Sequence, residues 1–253
     1  MFNSPLRQRN VRGGQTEEEG MNPNEGSNQK GMTLIELLVG LIVSTIIVAG
    51  VYRVFVAQTR AYTVQEQVVE VQQNIRGAME LMLRDIRMAG YKSNVTPVTL
   101  TTPVFPGDTA TVRTDAIRVE YQRAGNAHTV VYFRNNSSQL IRELYINGAL
   151  NVTDVFLENV DTLNFTYGVD GTVGLETSQN GAMDDRNGDG AFDDNDWVPA
   201  ATVNSGNLNI VAIRVALTAA PPNPNGNPDI GNIVPRNLVS TVNLRNLCLV
   251  KSN

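Results

Sequence analysis

The chain has 253 residues, 42% of them hydrophobic, enough for one sizeable folded body with an appendage. Its net charge is −5 with no lysine- or arginine-rich run, which argues against a nucleic-acid partner. A single cysteine, Cys248, excludes an internal disulfide, and with His128 as the only histidine there is no cysteine and histidine cluster for zinc.

Residues 1–30 are polar, rich in Gly, Asn, Gln and Glu, and read as an unfolded leader, with Met21 as an alternative start. Lys30 stands directly before an apolar run and favours a cytoplasmic N-terminus. From Met32 to Tyr52, about 21 residues carry one charge, Glu36, and ~20 such residues cross the hydrocarbon core of a bilayer as a helix. A carboxylate there costs ~2.5–3.5 kcal/mol on insertion scales, so Glu36 needs either an interfacial position or a partner. Gly31, a small residue after a lysine-ended leader, has the look of a processing site. It precedes the apolar run, whereas a secretory signal is cut after its own, so cleavage at Gly31 keeps the apolar helix in the mature protein.

Beyond Arg53 the pattern becomes periodic. Val64, Val68, Val71, Ile75, Met79, Met82 and Ile86 recur at spacings of four and three, one stripe of an amphipathic helix, with Gln72, Glu80, Arg84, Asp85 and Arg87 among the residues filling its other faces. No proline interrupts Gly31 to Gly90, so both segments can form one helix of roughly 58 residues, or ~87 Å, with Gly90 as its C-cap. The extended "SNVTPVTLTTPVFPG" cannot continue it. Strands are expected at Asp115–Arg123, His128–Arg134 and Gln139–Ile146, a meander joined by "AGNA" and "NNSS", and then at Val160–Tyr167, Leu208–Leu217 and Leu238–Leu244. Two turn-rich stretches, Gly168–Gly206 and Ala219–Pro235, are too long for simple connections.

Within the first of these lies "DRNGDGAFDDND", Asp185 to Asp196. Asp185, Asn187, Asp189, Asp193 and Asp196 fall at positions 1, 3, 5, 9 and 12 of a 12-residue calcium loop, with Gly190 at the sharp turn and the carbonyl of Ala191 at position 7. Phe192 is expected to anchor the loop to the core, and Asp184 and Asp194 to add field rather than coordination. A solvated acidic turn is the plain alternative. His128 has no serine or carboxylate that the sequence places beside it, and Cys248 in "NLCLV" reads as a buried small hydrophobe, so no catalytic residue is expected.

"KGMTLIELLVG" resembles the signal of type IV prepilins and pseudopilins: a basic leader, a glycine, four mostly apolar residues and a glutamate. The resemblance implies that a prepilin peptidase cuts after Gly31 and methylates Met32, and that Glu36 pairs with the new α-amino group on a neighbouring subunit. Methionine stands where phenylalanine is usual, and Arg53 stands where major pilins commonly have a kinking proline, which disfavours a major subunit. "MLRDIRMAGY" and "STVNLRN" resemble the helix ending and closing strand of minor pilins of the PilW type, the latter also of the pseudopilin GspJ.

The family implies an α+β fold, a long N-terminal helix packed on an antiparallel sheet. It also implies a leader at 1–31, a transmembrane and filament-core helix at 32–56, its amphipathic continuation at 57–90, and a β-rich periplasmic domain at 91–253 with the calcium-type loop at 185–196. The function implied is that of a minor pilin that primes or caps a filament with other minor pilins and the major pilin. The alternatives are a GspJ-like pseudopilin of type II secretion and a calcium-dependent adhesin at a pilus tip.

Overall fold

The computed structural model describes residues 31–92, 100, 102–108, 111–171, 181–206, 209–223 and 233–248, the side chains of 204–206 and 248 excepted. The leader, part of the extended segment after the helix (93–99), parts of the two turn-rich stretches (172–180 and 224–232) and the surroundings of the Cys248 side chain lie outside the described residues. Two compact units divide the chain, Met1–Val54 and Phe55–Asn253.

One helix, α1, runs from Leu34 to Arg87. Thr33 opens it: the Glu36 amide donates to Thr33 Oγ1 at 3.3 Å, and the Leu37 amide to the Thr33 carbonyl at 3.2 Å. In the first unit every residue from Gly31 to Val54 is exposed, although the segment is almost wholly apolar. By length and composition α1 is long and apolar enough to cross a membrane.

In the second unit the predicted stripe is the buried face. Val64 and Val68 are half-buried, and Val71, Ile75, Met79, Met82 and Ile86 are buried. The helix ends in the turn Met88–Gly90, as expected. Gly90 has φ +74°, its amide donates to the Glu120 carbonyl at 2.8 Å, and the Leu247 side chain fills the space that a Cβ would need.

The body is α+β, as expected, with two antiparallel sheets rather than one. The first is a meander of β1 (Val104–Phe105), β2 (Ala116–Arg123), β3 (Asn126–Arg134), β4 (Leu140–Ile146) and β5 (Ala149–Leu157), in sequence order. The second contains β6 (Val160–Asp170), β7 (Val198–Pro199), β8 (Asn209–Ala219) and β9 (Arg236–Asn243) in the order β7-β6-β8-β9. A short helix, α2 (Ala200–Gly206), follows β7, and a helical turn, Arg245–Cys248, closes the described chain. Six predicted strands are present with shifted ends, while β1, β5 and β7 were not predicted. The sequence does mark β5: Asn147 and Gly148, both at positive φ, make the two-residue turn that folds it back on β4.

One core joins the layers. Ile75, Met82 and Ile86 of α1 belong to the same apolar cluster as Val119 and Tyr132 of the first sheet and Phe165, Ile213 and Val215 of the second. Polar bonds stitch the sheets together: the Phe165 amide donates to the Thr114 carbonyl at 2.9 Å, and Arg134 Nε to the Val160 carbonyl at 2.8 Å.

Candidate functional site

The N-terminal site is an exposed helix start. Gly31, Met32 and Glu36 are all exposed, Met32 at 70%, and a Cβ on Gly31 would meet open space. Thr33 and Glu36 have the spacing of a capping box, of which the Thr33 half is formed. Glu36 lies in the first turn, where the helix dipole favours an anion. The first turn is thus a favourable place for this carboxylate in the single chain.

The acidic loop is built on the end of β6. Asp170 Oδ2 accepts from the Gly181 amide and Asp184 Oδ2 from the Gly171 amide, each at 2.7 Å, so two carboxylates clamp the ends of the excursion reciprocally. Both are buried, and Asp184 Oδ1 has no hydrogen-bond partner among the described residues. Asp184 thus has a structural place that its sequence neighbourhood did not reveal.

From Asp185 the chain wraps around carboxylate acceptors. Asp185 accepts from the amides of Gly188 at 2.8 Å and Gly190 at 2.7 Å; Asn187 Oδ1 accepts from the Asp189 amide at 3.2 Å; Asp189 Oδ1 accepts from the Ala191 amide at 2.8 Å. Asp193 caps the 3₁₀ turn Asp194–Asp196, and Asp196 reaches back to its amide in a capping box. Asp196 is fully buried, its second oxygen accepting from the Arg186 amide at 2.8 Å.

Asp196, at predicted position 12, therefore closes the loop onto the Arg186 amide beside position 1, and the loop's side chains offer hard oxygens of the kind calcium takes. The carboxylates are turned to backbone amides, and among the described residues no group of three or more His, Cys, Asp or Glu side chains is gathered as a metal cage. Phe192 does not anchor the loop: it is 69% exposed. Asp196 and a surface clasp do that work. Asp194 Oδ1 accepts from Arg214 Nη1 at 2.6 Å, and the Arg214 guanidinium lies 4.3 Å from the centroid of the Trp197 ring.

A polar cluster escaped the sequence reading. Asp85, expected on a polar face, is buried: its Oδ2 accepts from Tyr132 Oη at 2.8 Å and from Arg142 Nε at 2.9 Å. The Tyr132 hydroxyl is held above its ordinary pKa by burial and by the Asp85 charge. Asp85 is three residues after Met82 and one before Ile86, so the stripe itself signals its burial. Its partner, on a strand 57 residues further on, has no sequence signal. His128 stacks on Tyr121, ring centroids 5.4 Å apart and 10° from parallel.

Residues 26–52 match the family model described as "Prokaryotic N-terminal methylation motif". No sequence among the curated proteins matches the chain significantly. Among solved structures the chain is similar to the type IV-like pilin TTHA1219 from Thermus thermophilus, with 13% identity and a TM-score of 0.41, over 70% of this chain and 97% of that one. The likeness is slight, and the motif carries the weight. The chain is thus an α+β protein with a prokaryotic N-terminal methylation motif at the apolar head of its long helix.

Proposed function

We propose that the protein is a minor pilin of a type IV pilus. It is made as a precursor, cut after Gly31 by prepilin peptidase, methylated on Met32, and held in the inner membrane by the apolar part of α1 with its body in the periplasm. The single observation that supports this best is the order of the parts. The methylation motif covers Gly31, Met32 and the start of α1, so a cut at Gly31 frees a helix end while leaving the apolar segment whole. Every side chain of that segment is exposed in the single chain, a state that membrane or neighbouring pilin helices would end.

In this reading Glu36 pairs with the α-amino group of a neighbouring Met32, because each charge alone in a low-dielectric bundle loses its hydration without return. The partners are other minor pilins and the major pilin, and the protein carries out no reaction of its own. A GspJ-like pseudopilin of type II secretion would use the same helix.

A calcium ion in the acidic loop is the second element of the proposal. Asp185, Asn187, Asp189, Asp193, Asp196 and the Ala191 carbonyl would supply its oxygens, and neutralising so many carboxylates would steady the loop. A calcium-dependent adhesin at the tip is the reading in which this loop makes the contact. Intact-mass spectrometry of the protein from membranes or sheared filaments tests the main proposal. The expected species begins at Met32 and carries one methyl group; a chain that keeps its leader, or is cut beyond Tyr52, refutes it.

A further inference from the structure

At one end of the second sheet two cavities adjoin. One, of about 580 Å³, is lined by Arg87 and Tyr91 at the end of α1 and by Asn243 and Arg245 after β9. The other, of about 440 Å³, shares Asn243 and Arg245 but is otherwise walled by Met183, Val211 and Ala212. Arg245 thus stands between a polar compartment and an apolar one.

Among the described residues, four arginines of the body are paired with carboxylates, and Arg87 and Arg245 are not. Arg113, Arg118, Arg142 and Arg214 each face a carboxylate. The side chains of Arg87 and Arg245 form neither an ion pair nor a hydrogen bond among the described residues, in a chain where acids outnumber bases 25 to 20. Their backbones are nonetheless tied together: Asn246 Nδ2 donates to the Arg87 carbonyl at 3.1 Å and to the Ala89 carbonyl at 3.4 Å. Two guanidinium groups are therefore presented from fixed positions into one cavity. A planar guanidinium binds a carboxylate through paired hydrogen bonds and gives up its hydration more readily than an ammonium does.

We propose that this groove is a docking site for an acidic segment of a partner protein. An aspartate or glutamate side chain would sit between Arg87 and Arg245, and an adjacent apolar side chain would lie against Met183, Val211 and Ala212. Charge complementarity selects this occupant: an apolar segment would leave both cations unpaired, and a simple anion would leave the apolar compartment empty. That the partner is another subunit of the filament rests on the proposed function; recognition of the peptide does not.

The test uses the full chain in detergent micelles and two synthetic probes, acetyl-Leu-Glu-Leu-amide and acetyl-Leu-Gln-Leu-amide. Binding is followed by calorimetry and by the methyl resonance of Met183. The glutamate peptide is expected to shift that resonance and to bind about tenfold more tightly than the glutamine peptide, a preference weakened by salt. Arg87→Gln and Arg245→Gln, both at exposed positions, should each remove most of the preference without changing the melting temperature. Equal binding of the two peptides, no binding of either at millimolar concentration, or an undiminished preference in both variants overturns the proposal. The mass of the N-terminus is read separately, so a failed pilin assignment and a failed groove are told apart.

Discussion

Asp85 is one of the few charged residues on the inner face of α1, and its surroundings set what its loss would do. Its side chain and that of Arg142 are 9% and 14% exposed, so removing the carboxylate leaves a buried guanidinium whose remaining counter-charge is the half-exposed Asp154, 3.8 Å away. Asp85→Ala should destabilise the body by about 3–5 kcal/mol, the usual range for breaking a buried pair from one side. Replacing both partners with leucine should recover part of that loss, because the guanidinium is then gone as well, while the buried Tyr132 hydroxyl still lacks its acceptor. Urea unfolding followed through Trp197, the only tryptophan, together with circular dichroism, measures both. His128 offers a finer check. Partial burial and the nearby Arg123 charge lower its pKa from 6.5. Because the folded value is the lower one, the unfolded chain binds the proton more readily. The contribution of His128 to stability is therefore complete above pH 6.5 and lost as pH falls through the folded value. An NMR titration should give a midpoint below 6.5; one at or above it would contradict the packing on Tyr121.

The elements differ in how openly the sequence declares them. The amphipathic half of α1 was legible because seven apolar residues repeat at helical spacing and nothing breaks the run. Strand β5 was overlooked although the Asn147-Gly148 turn announces it, because its residues are mostly exposed and do not alternate as a half-buried strand does. The acidic loop was legible as spacing but not as packing. Asp196 takes the burial that Phe192 was expected to take, since its two oxygens satisfy the Arg186 and Asp193 amides. That division gives a prediction with two arms. If calcium binds, adding it at ten times its dissociation constant should stabilise the body by about 1.4 kcal/mol, a rise of about 3–6 °C in melting temperature. Asp185→Asn combined with Asp189→Asn should abolish the rise. Asp196→Ala should lower the melting temperature even in chelator, because it also unties two backbone amides. An unchanged melting temperature with and without calcium in the parent protein would remove the metal from the account.

For the whole molecule, the exposed apolar head of α1 and the buried core of the body are separate demands on one helix. Glu36 belongs to the first. Glu36 is exposed, so Glu36→Ala should leave the melting temperature and the cut after Gly31 unchanged. If its role is docking, the same variant should fall several-fold in the sheared-filament fraction relative to the membrane fraction. Equal incorporation would leave Glu36 only its favourable place at the positive end of the helix dipole. What the sequence determined by itself was local and periodic: the glycine, spacing and glutamate of the motif, the apolar run, the helical stripe, most strands, and the acidic repeat. These depend on residues within a few turns of one another, and such short-range physics is written directly in residue order. What only the tertiary structure decided were pairings across long separations: Asp85 with Arg142, Asp170 and Asp184 across their loop, and Gly90 against Leu247. No period encodes these, because folding fixes them together, when burying the core brings distant polar groups out of water and obliges each to find a partner.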